Sequence, residues 1–336
     1  MLNFVPATVW KSLPIRDLPP LRAGEVFDIQ DTVTPVGPDA NGAAEVLSNI
    51  VWPPQTFQAV GDLNPSSGDL SIHFPSPKPQ GFPVWDNVVL DWHVARDRRG
   101  RHTSGPAVLV LDILLGGNRV AGYIAKTLAK NGIHGFVMHM PQNGKRRLPN
   151  ETHDWSAFLP GLTQAAADAR RSRDVIAALP LVEGPISLQG TSLGGFVATL
   201  AGSIDDAFAA IFLALTGGDV NGILRTGAMD AALVRRQLLN AGYDDESLTQ
   251  YLWNMEPLRV AHRLNPRRTW LYWARFDQVV RPIHSKKLAD AIGLDWQHQR
   301  QIAGCHYTCF VSAPRFLGEI MRAVPRRNPS SAARSA

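Results

Sequence analysis

The sequence predicts an α/β fold with a mostly parallel, doubly wound sheet. Near-continuous apolar runs, such as AVLVLDI at 107–113, are typical of strands that are covered on both faces. Amphipathic helical segments follow several of these runs, which is the alternation expected when crossover helices join parallel strands. With 336 residues, 45% of them hydrophobic and 19% charged, the chain is long enough to bury such a core without disulfides or metals.

The composition excludes several classes of protein. Two cysteines, Cys305 and Cys309, cannot supply the framework of a disulfide-rich secreted domain. No apolar run approaches the roughly 20 residues of a membrane-spanning helix, and the N-terminus does not resemble a signal peptide. The net charge of +5 is scattered, and we interpret basic runs such as 145–147 as solvated surface. We therefore expect a cytoplasmic protein with no membrane span and no nucleic-acid partner, of unknown oligomeric state.

The chain divides into three regions. Residues 1–69 are rich in Pro, Gly, Asp and Asn, which predicts an irregular N-terminal arm. Residues 70–325 hold the predicted α/β domain, and residues 326–336 predict a disordered tail. Within the domain, residues 220–265 predict helical segments too long for a simple connection, and an insertion of this size is usually a lid.

Apolar periodicity places the elements of the domain in order. Two alternating strands with a Pro- and Gly-rich link between them come first. After the strand at 107–113, apolar residues recur every four positions in a helix that ends at Gly132. The predicted strands are 70–74, 87–96, 107–113, 133–140, 185–189, 208–215, 269–275 and 296–303, and the further helices are 161–179, 192–202 and 285–293.

The sharpest local motif is Gly190-Thr191-Ser192-Leu193-Gly194, which lies between a predicted strand and a predicted helix. A chain that turns sharply from strand to helix strains its turn residue, and flanking glycines allow neighbouring backbone to come close. The turn raises the Ser192 hydroxyl above the sheet edge. The N–H of Leu193 then points to where negative charge develops on an attacked carbonyl. Ser192 is the candidate nucleophile, and Leu193 is a candidate oxyanion-hole donor.

A serine hydroxyl needs a base, and His306 is the candidate. It follows the last predicted strand and a glycine turn, in Gly304-Cys305-His306-Tyr307-Thr308. The neighbouring cysteines raise the alternative of a metal site, but they lack the two-pair spacing of structural zinc. We expect neither a metal nor an organic cofactor.

The base in turn needs an orienting acid. Asp277 follows the strand predicted at 269–275, in Asp277-Gln278-Val279-Val280-Arg281-Pro282, with room for one crossover helix before His306. Asp219, just beyond the strand predicted at 208–215, is a second candidate. We prefer Asp277 because its loop lies beside the histidine strand in the expected sheet order.

The chain order Ser192, Asp277, His306 and these three motifs resemble the alpha/beta-hydrolase superfamily over roughly 70–325. HMPQNGKRR at 139–147 also looks like the Pro-x-x-Gly-x-Arg loop of dienelactone-hydrolase-like and acetyl-esterase-like members. The resemblance implies a serine hydrolase of the carboxylesterase type, which forms an acyl-enzyme on Ser192 from a small-molecule ester. An acyltransferase or lipase on the same triad is an alternative, and so is a non-catalytic binding protein of this fold.

The chain departs from the superfamily pattern after the strand at 107–113. Most members carry His-Gly where this chain has Asp112-Ile113, and the next N–H completes the oxyanion hole. A β-branched isoleucine does not adopt the positive φ open to glycine. The second donor is therefore either the N–H of Leu114 or an amide of the Gly116-Gly117 turn.

Overall fold

The computed structural model describes residues 20–34, 42–147 and 152–324; the tail predicted at 326–336 lies outside them. The strands are β1 (Val26–Gln30), β2 (Thr56–Asp62), β3 (Leu70–Pro75), β4 (Asn87–His93), β5 (Gly105–Leu111), β6 (His134–His139), β7 (Val182–Thr191), β8 (Ile211–Ala214), β9 (Thr269–Ala274) and β10 (Gln299–Ile302). The helices are α1 (Ala43–Ser48), α2 (Pro83–Asp86), α3 (Arg119–Ala129), α4 (Phe158–Ala178), α5 (Leu193–Ile204), α6 (Val220–Thr226), α7 (Asp230–Asn240), α8 (Asp245–Trp253), α9 (Pro282–Ile292) and α10 (Ala313–Ala323).

The described strands form one sheet in the order β1-β2-β3-β4-β6-β5-β7-β8-β9-β10. All pairs from β6 to β10 are parallel, whereas β1 to β4 pair antiparallel and β4 joins β6 antiparallel. Every strand predicted from residue 70 onwards is present, with ends shifted by a few residues. The prediction of an α/β fold with a mostly parallel sheet is confirmed.

The central strand β5 shows why its sequence is apolar throughout. Leu109 and Leu111 belong to the core cluster that includes residues of α4 and α5. Val108 and Val110 belong to a second cluster, with residues of α3 and α10. Successive side chains of a strand point to opposite faces, so one face of β5 lies in a cluster with α4 and α5 and the other in a cluster with α3 and α10. The sheet is therefore doubly wound.

The N-terminal region differs from the irregular arm predicted for 1–69. β1 and β2 form an antiparallel pair, and β2 pairs with β3, so the sheet extends into this region. Burial alternates residue by residue along β2, as it does in a strand with one solvent-exposed face. Arg171 of α4 also reaches this region, since it donates to both carboxylate oxygens of Asp31 at 2.6 and 3.0 Å. Short strands between Pro- and Gly-rich segments hid this pattern in the sequence.

The insertion between β8 and β9 is helical, as predicted for 220–265. It contains α6, α7 and α8, followed by two 3-10 turns at Pro257–Arg259 and Ala261–Arg263. Its action as a lid stays a prediction. Among the described residues, no helix combines the length and the apolar character needed to cross a bilayer.

Arg146 corrects the interpretation of residues 145–147 as solvated surface. Its guanidinium donates to Asp168 Oδ2 at 2.8 Å and to the His139 carbonyl at 3.0 Å, and also to the Trp85 carbonyl. The side chains of Arg146 and Asp168 have no exposed area. Sequence spacing did not indicate this pair, because the carboxylate lies on α4, far along the chain.

We predict that Arg146→Met lowers the free energy of unfolding by about 3–5 kcal/mol, because it leaves the Asp168 carboxylate buried without its cation. Urea unfolding at neutral pH measures the change. Arg98→Met, at an exposed loop position, is the matched control and should change the stability by no more than about 0.5 kcal/mol. Equal stability of the two variants would contradict a structural role for the buried pair.

Candidate active site

Ser192 occupies the turn between β7 and α5. Its backbone has φ 52° and ψ −113°, a conformation that costs energy for any residue with a side chain. The Ser192 N–H donates to the carbonyl of Ala214, at the end of β8, at 2.7 Å. The strained turn is thus fixed to the sheet, as the glycine-flanked motif predicts.

The glycines around Ser192 are required by close backbone approach. A Cβ on Gly190 would collide with the backbone of Gly194, and a Cβ on Gly194 would collide with the Leu111 carbonyl. A Cβ on Gly195 would lie 2.7 Å from the Thr216 side chain. Gly190 thus allows β7 to approach α5, while Gly194 and Gly195 allow α5 to approach the ends of β5 and β8, and these contacts hold the strained turn in place.

The structure brings together the three side chains predicted for the triad. Ser192 Oγ lies 3.0 Å from His306 Nε2, and His306 Nδ1 lies 2.7 Å from Asp277 Oδ2. Because a carboxylate only accepts hydrogen bonds, Nδ1 carries the proton and Nε2 is free to accept from the serine hydroxyl. The imidazole therefore faces Ser192 in the tautomer of a general base.

Asp277 is held by its own loop. Its second oxygen, Oδ1, accepts the N–H groups of Val279 at 2.9 Å and Val280 at 3.0 Å. The residue is 5% exposed, and His306 is 8% exposed. The Asp-x-Val-Val segment thus fixes the carboxylate in the orientation that places Oδ2 on the histidine.

Asp219, the alternative acid, has other partners. Its Oδ2 lies 2.5 Å from Lys287 Nζ and 3.4 Å from His284 Nδ1, and its Oδ1 caps α6 by accepting the Gly222 N–H at 3.1 Å. Partial burial opposes ionisation, but the hydrogen bond from Lys287 prevails and holds the pKa of Asp219 below its usual value. Of the two acids, Asp277 is the one that contacts His306.

The two cysteines shape the histidine loop. Cys309 Sγ donates to the His306 carbonyl at 3.2 Å, and Cys305 Sγ lies 3.3 Å from Thr308 Oγ1. Burial raises the pKa of the Cys309 thiol to about 11. Both ring nitrogens of His306 already face Asp277 and Ser192, so this histidine has no free nitrogen for a metal. Among the described residues, no group of three or more His, Cys, Asp or Glu is arranged to hold a metal ion.

The oxyanion candidates lie beside Ser192. Leu193 is the first residue of α5, so its N–H has no acceptor within the helix. Leu114 and Leu193 line one cavity together with Ser192. In the same loop the positive φ, 52°, falls at Leu115, while the Gly116 N–H donates to the Ile113 carbonyl at 3.3 Å. Leu114 stays our candidate for the second donor.

Asp112 is a residue whose role sequence reasoning missed. It is 2% exposed, and its Oδ1 accepts the N–H of Ala121 in the first turn of α3 at 3.1 Å. Burial raises the pKa of this carboxyl. A Cβ on Gly116 would lie 2.6 Å from Asp112 Oδ2, so the loop folds closely over the acid. An aspartate at the end of an apolar strand could have indicated this role, but we interpreted it only as a departure from the superfamily pattern.

Two cavities open at Ser192. The insertion-side cavity, about 100 Å³, lies between α4, α5 and the insertion, and its walls are almost entirely apolar. The histidine-side cavity, about 460 Å³, is lined by His306 and Tyr307 and by residues of α3, β9 and α10. Asp230 of α7 lines both cavities; burial, together with the nearby Asp230 carboxyl, raises the pKa of Tyr307 to about 12. Ser192 thus lies between two cavities of different volume.

Comparison with protein-family profiles and with curated protein sequences gives no match. Solved structures do match. They include an acetyl xylan esterase from Paenibacillus sp. R4 (11% identity, TM-score 0.58, 90% of both chains) and a cold-adapted esterase from an Arctic intertidal metagenomic library (17%, 0.51, 76% of this chain and 94% of that one). A Pyrococcus horikoshii acylaminoacyl peptidase also matches (12%, 0.56), with 80% of this chain covering 48% of the peptidase. The chain therefore has the alpha/beta-hydrolase fold.

Proposed function

We propose that this protein is a serine hydrolase that cleaves carboxylic esters. The observation that carries the proposal is the continuous hydrogen-bonded line from Ser192 Oγ through His306 to Asp277, with separations of 3.0 and 2.7 Å. A nucleophile in contact with a base, and a base oriented by a buried acid, is the arrangement that acyl transfer requires. A non-catalytic binding protein would not need these three side chains to be aligned at a strained turn.

In the acylation step, Ser192 Oγ forms a bond to the ester carbonyl carbon while His306 Nε2 accepts the hydroxyl proton. The carbonyl oxygen becomes negatively charged, and the N–H groups of Leu193 and Leu114 stabilise it. Collapse of this intermediate breaks the bond to the alkoxy oxygen, to which His306 returns the proton. The alcohol leaves, and the acyl group stays on Ser192.

In the deacylation step, His306 accepts a proton from water as the water oxygen attacks the acyl carbon. The bond to Ser192 Oγ then breaks, the serine recovers its proton, and the carboxylic acid leaves. Asp277 keeps the imidazole oriented in both steps and stabilises its charged form. This cycle consumes only water and ester.

We predict that Ser192→Ala lowers kcat for p-nitrophenyl acetate by a factor on the order of 10⁴ or more and abolishes labelling by a fluorophosphonate probe. The melting temperature should stay close to that of the wild type, because the hydroxyl is lost without a change in packing. Stopped-flow kinetics measures kcat, and in-gel fluorescence measures the labelling. Undiminished labelling of Ser192→Ala would exclude Ser192 as the nucleophile.

We predict that Asp277→Asn and Asp219→Asn separate the two acids. Asparagine at 277 no longer fixes the proton on Nδ1, so kcat should fall by roughly 10³–10⁴-fold. Asparagine at 219 still caps α6, so kcat should change by no more than about threefold. Rate measurements with p-nitrophenyl acetate at neutral pH test this. If kcat falls further in Asp219→Asn than in Asp277→Asn, the assignment of Asp277 as the acid of the triad is wrong.

A further inference from the structure

We infer that the substrate is an ester of a short acyl group, about two to four carbons, with a bulky and largely apolar alcohol. The inference rests on the proposed function and concerns the same site. Three features of the structure carry it: the side on which His306 lies, the volumes of the two cavities, and the residues that line them.

The position of His306 determines which cavity takes which half of the ester. The histidine must deliver a proton to the departing alkoxy oxygen, so the alcohol lies on the histidine side of Ser192. The histidine-side cavity contains His306 and Tyr307 in its wall. The oxyanion points towards Leu193 and Leu114, and the remaining direction from the carbonyl carbon leads into the insertion-side cavity that both residues line.

The insertion-side cavity limits the length of the acyl group. A dry apolar cavity of about 150 Å³ accepts one benzene ring. At about 100 Å³, this cavity has room for fewer carbon atoms than benzene has, and its walls include Val234 and Leu252, which are 7% and 2% exposed. Both residues belong to the hydrophobic core, so an acyl chain longer than the cavity would have to displace insertion helices.

The histidine-side cavity accepts a larger group. Its volume of about 460 Å³ is about three times that of a cavity that holds benzene. Tyr272 and Phe316 form an edge-to-face pair in its wall, with ring centroids 4.7 Å apart. Tyr123 also lines this cavity and is 55% exposed. Aromatic walls of this kind favour a flat apolar alcohol over a small one.

Two substrate series test the inference with the 336-residue chain. In p-nitrophenyl esters of fixed alcohol, kcat/KM for butyrate should exceed that for octanoate at least tenfold. Among acetates, kcat/KM for benzyl acetate should exceed kcat/KM for ethyl acetate at least tenfold, although benzyl alcohol and ethanol are leaving groups of similar quality. The inference is overturned if kcat/KM does not change with acyl length, or if kcat/KM for ethyl acetate is the higher of the two.

Paired variants on one face of α7 test the acyl side. Val234→Ala enlarges the insertion-side cavity and should raise the hexanoate-to-acetate ratio of kcat/KM about tenfold. Ala231→Leu fills the same cavity and should lower the butyrate-to-acetate ratio by a similar factor. The two substitutions act in opposite directions on cavity volume, so a general loss of stability cannot produce both results.

Phe316→Ala is the matched control in the other cavity. It should change the benzyl-to-ethyl ratio and leave the acyl-length profile as in the wild type. If the acyl-length profile shifts in Phe316→Ala and not in Val234→Ala, the acyl and alcohol groups have been assigned to the wrong cavities.

Fluorophosphonate labelling distinguishes failure of this inference from failure of the proposed function. A labelled enzyme with the wrong profile overturns this inference alone, whereas absence of both labelling and turnover overturns the proposed function as well.

Discussion

The strained backbone of Ser192 is the constraint on which the rest of the site depends. A serine at φ 52° is tolerated only where its surroundings leave no alternative. Here the N–H bond to Ala214 and the tight packing of Gly194 under β5 hold the turn from two sides. The strain presents the hydroxyl at the sheet edge and leaves the first N–H of α5 beside it. The proposed nucleophile and the proposed oxyanion donor are thereby positioned by a single turn.

The parallel sheet brings the other two members of the proposed triad to the same place. β7, β9 and β10 run in the same direction, so the loops that follow them lie along one edge, and these loops carry Ser192, Asp277 and His306. This edge is where sheets of this class bind their ligands. Residues separated by 29 and 114 positions in sequence thus come within hydrogen-bonding distance.

Sequence reasoning predicted the parts that depend on local pattern. The strands from residue 70 and the helical segments of the insertion follow from periodicity, and the proximity of Ser192, Asp277 and His306 follows from glycine spacing and chain order. Features that depend on distant partners could not be predicted. Arg146 is buried beside a carboxylate on α4 that accepts one of its hydrogen bonds. β1 and β2 become strands of the sheet by pairing with each other and, through β2, with β3. The cavity volumes arise from the packing of α4, α5 and the insertion, which no local pattern encodes.

Peptide mapping of a covalent adduct tests the central claim most directly. After reaction with one equivalent of a fluorophosphonate, proteolysis and tandem mass spectrometry locate the modified residue. We predict a single adduct on the Ser192 hydroxyl, which forms more slowly in the Asp277→Asn variant than in the wild type. An adduct on another residue, or none under conditions in which the protein remains folded, would contradict it.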